Sequence, residues 1–461
     1  MKLNKSIQKT ALLLLSTLAV ASCGQSGGDS GTSNTGDYTT VKIAFAECGF
    51  GRQFLLDWET DYNAKHPTEK IKLELDGDAQ MTQNILPRIQ SGKNLPDIVM
   101  VLSTNWQPWC VQNYLEPIDD IYSSTVEGGT STVKDYMVDG LNEFGKVKGH
   151  YYALPWSVNP CGIMYNEGMF EQYGWEIPET FNDLLTLCET IKTDTAGTVA
   201  PFSWSGTTAA YWDFTVLQWW AQYEGVSNWE TFWKFESPEV YKQEGRLKAL
   251  QCFQQLICNG DGTAKNSIDG ASGKKFMESQ MSFVKGEAAM MSNGAWLENE
   301  MKSSLPSGFK MALMKTPKVD GAKEDALYCT SGDFLVIPKK AANKEAAKKF
   351  LAYTCSEDAC RIFTKDSGGI RPFKYKASET ENITDFTKEV CKLWETSENV
   401  YMTSDSVMYY QNNLNTWPGY GSPYNKMVQE DDTAQDVCDY IYDYVSKNWN
   451  SMKADAGDFG E

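Results

Sequence analysis

The chain has 461 residues, a formal net charge of −19 at pH 7 and a hydrophobic content of 41%. Such a length predicts two or three domains, and the apolar content is ample for sizeable cores. The acidic balance argues against a nucleic-acid partner, because binding to phosphate backbones needs basic stripes. Only two histidines are present, which disfavours His-based catalysis and His-rich metal sites. We therefore expect neither a metal nor another cofactor.

The first residues have the pattern of an export signal. Lys2, Lys5 and Lys9 are followed by an apolar run over 11–20, too short to span a bilayer, which takes about 20 residues. Small residues then stand directly before Cys23. This arrangement resembles the bacterial lipobox, in which the cysteine is lipidated, and predicts a lipoprotein signal peptide over 1–22. The alternative is an ordinary signal peptide in which Cys23 is incidental.

Residues 24–40 contain no aliphatic side chain and are rich in Gly, Ser, Thr and Asp. Such a segment cannot bury apolar surface, so we predict a flexible tether over 23–40 with a reach of about 20–25 Å. No later stretch is apolar enough to cross a membrane. The expected location is therefore extracytoplasmic, at the outer face of the cytoplasmic membrane or in the periplasm, with the N-terminal lipid as the only membrane contact.

Strands and helices alternate in the first part of the folded region. The predicted elements are strand 41–45, a helix with aromatic residues at 50, 54, 58 and 62, strand 71–75, helix 83–89 and strand 98–102. This alternation is typical of a mostly parallel sheet, which binds ligands at the carboxyl ends of its strands. Glu47 and Asp78 follow the first and second strands, and Asn105 and Trp106 follow the third.

The later chain continues in the same α/β pattern. Thr180 and Asp183 form a predicted capping box ahead of apolar residues at helical spacing. A strand is predicted over 333–337, and Asn343 is predicted to cap the following helix. Besides Cys23 there are eleven cysteines, an odd number. We interpret them as small buried hydrophobic residues and assign no disulfides.

Several segments, in order, resemble the solute-binding proteins of bacterial ABC importers, in the branch of the maltose-binding type. The segments are Leu95–Val99, Tyr114–Ile118, Tyr152–Ser157, Met164–Asn166, Gly174–Pro178, Phe283–Met290, Asn293–Trp296, Asn343–Phe350 and Gly368–Pro372. The resemblance runs from about residue 41 to about residue 430. The high cysteine content and a Trp-rich stretch over 204–233 depart from the family pattern.

The resemblance implies a periplasmic-binding-protein-like fold of two discontinuous α/β lobes, with a hinge and an interlobe ligand cleft. Lobe 1 is expected to comprise 41–154 plus 332–372, and lobe 2 to comprise 155–331 plus 373–461. The chain is expected to cross between lobes near 153–156, near 332–334 and just after Pro372. The implied function is capture of a carbohydrate, in particular an oligosaccharide, by a monomer that delivers it to the transmembrane permease subunits.

A sugar-binding cleft needs flat rings for the C–H faces of the sugar and polar groups for its hydroxyls. Trp296 is the first aromatic candidate, because the resemblance places it on a segment that presents a stacking ring, and Gly294 permits close backbone approach. The other candidates are Trp106, Trp156, Trp212 and Trp417 as aromatic contacts, and Glu47, Asn105, Asn159, Asp333 and Arg371 as polar contacts. Each residue also has a structural alternative to ligand contact. A tryptophan could belong to the core, an acid or amide could cap a strand or form a turn, and Arg371 could form a salt bridge in the hinge.

Two other interpretations remain open at this point. A binding protein of the same architecture could take a polyamine or a peptide instead of a sugar. An exported glycoside-acting enzyme would need a pair of carboxylates at a set separation. No catalytic motif is evident, so we do not expect an enzyme.

Overall fold

The computed structural model describes residues 38–47, 49–77, 81–102, 106–225, 228, 237–330, 333–398, 400–403 and 417–456. The predicted signal peptide, Cys23 and the tether as far as residue 37 lie outside these residues, as do Asp78 and Asn105. The strands are β1 (Thr39–Ala44), β2 (Ile71–Asp76), β3 (Ile98–Leu102), β4 (Lys146–Val147), β5 (His150–Tyr151), β6 (Ala153–Pro155), β7 (Asn159–Asn166), β8 (Ala200–Phe202), β9 (Ala288–Gly294), β10 (Met311–Met314), β11 (Leu327–Thr330), β12 (Asp333–Val336) and β13 (Val400–Thr403).

Helices fill most of the intervals between these strands. The α-helices are α1 (Gln53–Lys65), α2 (Met81–Ser91), α3 (Gln107–Val111), α4 (Asp119–Ser123), α5 (Val133–Tyr136), α6 (Glu167–Tyr173), α7 (Phe181–Asp194), α8 (Asp213–Glu224), α9 (Glu244–Ile257), α10 (Phe276–Val284), α11 (Leu297–Met301), α12 (Lys344–Tyr353), α13 (Glu357–Ser367), α14 (Asp385–Thr396), α15 (Pro423–Gln429) and α16 (Ala434–Ala456). Short 3-10 helices lie at Leu141–Gly145, Gly206–Trp212, Pro238–Lys242, Ala271–Gly273 and Ala377–Glu379.

The first sheet has the strand order β2–β1–β3–β12–β6. β1 is parallel to β2 and β3, whereas β12 is antiparallel to β3 and β6. β1 begins two residues earlier than predicted, because Thr39 and Thr40 pair with Ile71 and Lys72 of β2. Backbone pairing therefore extends the strand into what composition alone assigned to the tether.

The second sheet has the strand order β13–β11–β7–β9–β8, and β10 pairs with the second half of β7. β7 is the central strand, with all eight of its residues buried. It is antiparallel to β9, β10 and β11, while β8 is parallel to β9 and β13 is parallel to β11. Two mixed sheets with helices packed around them agree with the predicted α/β architecture.

The chain passes directly from one sheet to the other at two places. Residues 156–158 join β6 of the first sheet to β7 of the second, and residues 331–332 separate β11 from β12. Near the third predicted crossing, Ile370 forms a bridge with Val158, and Phe373 forms one with Met137. The lobe boundaries and the third crossing stay predictions.

Local sequence explains several helices. On α1, Phe54, Trp58 and Tyr62 are buried at the predicted four-residue spacing. The capping box at Thr180 and Asp183 is confirmed, with both reciprocal hydrogen bonds present. Asn343 stands at the N-cap of α12 as predicted, but its side chain makes no capping bond. Instead, Asp97 accepts the backbone N–H of Asn343 at 2.8 Å.

Candidate functional site

One edge of each sheet faces the region between the lobes. In the first sheet, Asp333 at the start of β12 stands opposite Leu102 at the end of β3. In the second, Asn159 at the start of β7 stands opposite Thr330 at the end of β11. Both direct connections between the sheets leave from these two edges, so the edges border a common interlobe cleft. The C-terminal ends of β1, β3, β8 and β9 also lie at these edges.

Glu47 lies in the loop after β1, where it forms an ion pair with Arg52. The Nε of Arg52 donates to Glu47 Oε1 at 2.9 Å, and an Nη of Arg52 donates to Oε2. This hydrogen bonding, together with the charge of Arg52, holds the pKa of Glu47 below its usual value despite partial burial. The Glu47 side chain remains 34% exposed. It is therefore an oriented, ionised acceptor of the kind that binds sugar hydroxyls.

Three partly exposed aromatic side chains, Tyr211, Phe214 and Trp296, lie side by side on the second lobe. The rings of Tyr211 and Phe214 have centroids 5.3 Å apart, and Phe214 meets Trp296 edge-on at 5.2 Å. The hydroxyl of Ser292 on β9 donates to the backbone carbonyl of Tyr211 at 2.6 Å. This bond fixes the start of α8 beside the strand that leads to Trp296. We call these three residues the aromatic row.

Trp296 is the N-cap residue of α11, directly after β9. Its ring lies over Gly294, where an added Cβ would come within 2.1 Å of ring carbons. The space beside Gly294 is therefore filled by the ring of Trp296 itself. The Cβ of Trp296 also lies against Gly49 of the first lobe, since an added Cβ at Gly49 would be 2.9 Å from it. Trp296 therefore contacts both lobes.

The four other candidate tryptophans, Trp106, Trp156, Trp212 and Trp417, are each at most 1% exposed. Their ring neighbours include Phe334 for Trp106, Phe54 and Phe363 for Trp156, Phe202 and Phe253 for Trp212, and Tyr241 and Tyr444 for Trp417. No described residue accepts a hydrogen bond from any of the four indole N–H groups. Their surroundings are those of core residues, and contact with a ligand stays a prediction for all four.

Two of the polar candidates lie at the cleft edges. Asn159 is buried, and its Nδ2 donates to Ser157 Oγ at 3.1 Å. Its Oδ1 is buried without a hydrogen-bond partner in the described part of the chain. Asp333 is also buried, and its backbone carbonyl accepts from the N–H of Trp156 at 2.8 Å. Asp333 thus anchors the first connection between the lobes.

Arg371 is buried among aromatic rings and backbone carbonyls. It is 0% exposed, and its Nη groups donate to the backbone carbonyls of Trp156 and, at 3.3 Å, Thr354. Its guanidinium carbon lies 5.4–5.8 Å from the ring centroids of Trp58, Trp156, Phe363 and Phe373. Among the described residues no carboxylate forms a salt bridge with it, so the predicted hinge salt bridge is absent there. Arg371 instead lies in an aromatic enclosure beneath the first connection.

Sequence reasoning missed four residues of this region: Arg52, Tyr211, Phe214 and Asn299. Arg52 follows Glu47 by five positions, a spacing that pairs opposite charges across a short turn. Trp212 begins an aromatic stripe and is the residue that the sequence favours, yet it packs inward while Tyr211 and Phe214 stay partly exposed. Asn299 lies one helical turn after Trp296, and its Nδ2 donates to the carbonyl of Gly49. That spacing is the only sequence signal for it.

Two α/β lobes with a cleft at their connections are the architecture of proteins that capture small solutes. The chain belongs to the bacterial extracellular solute-binding protein family, whose model matches residues 32–359. This finding confirms the family expected from the sequence segments. The members of this family are binding proteins. Among the residues that the structure describes, no helix has the length and apolar character needed to cross a membrane.

Relatives and solved structures show the same likeness. The chain is 24% identical over 333 residues to the diacetylchitobiose binding protein NgcE of Streptomyces coelicolor, covering 71% of this chain and 68% of NgcE. It is 22% identical to the multiple sugar-binding protein of Streptococcus mutans, covering 81% of this chain and 87% of that protein. The structure of maltose-bound T. maritima MalE3 superposes with a TM-score of 0.67 at 17% identity, covering 89% and 99% of the two chains.

Proposed function

We propose that this protein captures a carbohydrate in the interlobe cleft and delivers it to the transmembrane subunits of an ABC importer. The single observation that carries the proposal is the aromatic row, which presents three partly exposed rings at the edge of the second sheet. Ring faces carry partial negative charge and suit the C–H faces of a sugar. The printed names of NgcE and the multiple sugar-binding protein support the same ligand class.

The polar candidates complement the hydroxyls of a sugar. Glu47 supplies an ionised carboxylate that Arg52 orients, and Asn159 supplies an amide oxygen that lacks a partner in the described structure. We propose Trp296, Phe214 and Tyr211 as ring contacts, with Glu47, Asn159 and Asp333 as polar contacts. We retain as further candidates Asn105, the four buried tryptophans and Arg371. Arg371 would act by positioning Trp156, whose backbone carbonyl accepts its hydrogen bond.

We also propose that Cys23 carries the lipid that holds the protein at the extracytoplasmic face of the cell envelope. The support is the signal-peptide pattern of residues 1–22 and the polar segment that follows. The protein would act there as a monomer with two discontinuous lobes, and it would release its ligand unchanged. A polyamine is the second candidate ligand, because an ionised carboxylate such as Glu47 and the faces of aromatic rings both attract a cation.

The test is thermal unfolding of residues 38–461 with N,N′-diacetylchitobiose, raffinose, maltose, spermidine or a short peptide. A ligand at 100 times its Kd stabilises the protein by about 2.7 kcal/mol, well above measurement noise. Stabilisation by a sugar that is recovered uncleaved is the expected result. Stabilisation by spermidine or the peptide alone would contradict the carbohydrate assignment, and cleavage of the sugar would contradict the binding role.

The variant Trp296→Ala links the ligand to the aromatic row. We expect affinity for the stabilising sugar to fall by about 1–3 kcal/mol while the melting temperature of the free protein stays close to wild type. Val111→Ala, which removes an exposed apolar side chain of the first lobe, is the control and should leave affinity unchanged. A large loss of stability in Trp296→Ala would assign this residue to the core instead.

A further inference from the structure

The two lobes touch at a contact made of Gly49 on the first lobe and Trp296 and Asn299 on the second. Asn299 Nδ2 donates a hydrogen bond to the backbone carbonyl of Gly49. The Cβ of Trp296 packs on Gly49, which is itself buried. The amide of Asn299 is also the nearest group to Gly51, 3.9 Å from where a Cβ would stand. The loop after β1 and the start of α11 therefore meet through a polar and an apolar contact.

This contact leaves no room for a larger residue on the first lobe. A Cβ at Gly49 would lie 2.9 Å from the Cβ of Trp296, closer than two such carbons approach in proteins. An alanine at this position would push the Trp296 backbone, and with it the start of α11, away from the first lobe. Glycine is therefore required by the approach of the second lobe.

Each side of the contact is held in place by its own lobe. On the first lobe, the ion pair of Glu47 with Arg52 spans the loop that contains Gly49. On the second, Glu298 of α11 accepts a hydrogen bond from Thr384 Oγ1 at 2.6 Å. The two loops are thus braced before they meet, so little chain entropy is lost when the contact forms.

We propose that Gly49, Trp296 and Asn299 form an interlobe latch that holds the two lobes together beside the cleft and sets the position of the Trp296 ring. Asn299 is a positioning residue in this arrangement and does not contact the ligand. Because Trp296 belongs both to the latch and to the aromatic row, closure and seating of the ring are coupled. This inference rests on the proposed function for its effect on sugar affinity, whereas the latch itself can be tested without a sugar.

The first experiment is amide hydrogen exchange of the full-length protein in detergent micelles, without added ligand. Asn299→Ala is expected to increase deuterium uptake in peptides covering residues 45–55 of the opposite lobe. Gly49→Ala is expected to increase uptake in peptides covering residues 294–301. The matched control is Gly273→Ala, because a Cβ there would meet no atom within 4 Å, and it should change neither peptide. Changes confined to the mutated segment in both variants would overturn the latch.

The second experiment measures affinity by calorimetry for whichever of N,N′-diacetylchitobiose, raffinose or maltose binds the wild-type protein. Asn299→Ala should weaken binding about two- to tenfold, as expected for loss of one hydrogen bond, and Gly49→Ala should weaken it at least as much. Unchanged affinity in both variants would overturn the coupling between latch and binding. If none of the three sugars binds, the proposed function fails for them, and the exchange experiment alone decides the latch.

Discussion

Asp213, the first residue of α8, predicts a distinctive dependence of stability on pH. Its carboxyl is buried in the second lobe, where Oδ1 accepts from the hydroxyl of Tyr424 at 2.5 Å. Burial raises the pKa of Asp213 from 3.8 to about 7, although the Tyr424 hydrogen bond and the charge of Arg246 act in the opposite direction. The folded protein therefore binds this proton more tightly than the unfolded chain does.

The sign of the effect follows from that difference. The neutral carboxyl adds to the free energy of unfolding. This added stability is fully present below about pH 4 and is lost as the pH rises through about 7. The difference between the pKa of Asp213 in the unfolded chain and in the folded protein corresponds to a total loss of about 4 kcal/mol in the free energy of unfolding. About 2–3 kcal/mol of this loss falls between pH 5 and pH 8.

The variant Asp213→Asn keeps the size of the side chain and its acceptor for Tyr424, but it cannot ionise. Urea unfolding of the wild type and the variant should be compared from pH 5 to pH 8. We expect the free energy of unfolding of the variant, relative to the wild type, to rise by about 2–3 kcal/mol over this range. All other titrating groups cancel in the difference.

A second variant checks the cause. Tyr424→Phe removes the hydrogen bond that favours the ionised carboxylate of Asp213. The pKa of Asp213 in the folded protein should therefore rise, and the loss of stability should occur at a higher pH than in the wild type. Parallel stability curves for the wild type and Asp213→Asn would refute the reasoning, because they would mean that Asp213 has the same pKa in both states.

Two further substitutions probe the cleft and the first connection. Gly294→Ala would place a Cβ within 2.1 Å of the Trp296 ring, so the ring must move; we expect sugar affinity, measured by calorimetry, to fall as in Trp296→Ala with little change in melting temperature. Arg371→Lys should lower the free energy of unfolding, measured by urea titration, by about 3 kcal/mol. The single ammonium of lysine cannot reach both the Trp156 and the Thr354 carbonyls, so a buried charge loses part of its hydrogen bonding. Wild-type values in these assays would contradict the respective assignments.

Local patterns predicted the elements well, because their causes lie within a few residues. The capping box at Thr180 and the buried stripe of α1 depend only on near neighbours. Asn343 stands at the N-cap without a capping bond, and its side-chain Nδ2 donates instead to Asp97 Oδ2 at 3.4 Å, 246 positions away in sequence. The surroundings of Arg371 likewise come from Trp156, 215 positions earlier. Such contacts depend on the assembled fold and leave no periodic signal.

The same distinction explains the site. Sequence spacing identified an aromatic stripe but not which side of it stays exposed. The 3-10 helix Gly206–Trp212, which leads into α8, contains a non-helical residue, Thr208, so a regular helical spacing does not apply along its whole length. Trp212 is buried in the core, while Tyr211 and Phe214 remain partly exposed. Trp296 could be selected because the family resemblance places it on a segment that presents a stacking ring, and the structure leaves it partly exposed.

The cysteines give this protein a set of built-in reporters. All ten described cysteines are buried free thiols, and burial raises the pKa of those in both lobes, to about 11 for Cys252 and about 12 for Cys355. Since the thiolate is the reactive form, alkylating reagents near pH 8 should modify these sites only when the surrounding structure opens. Time-resolved alkylation read by mass spectrometry would thus reveal, from wild-type protein alone, whether the two lobes unfold together or one after the other.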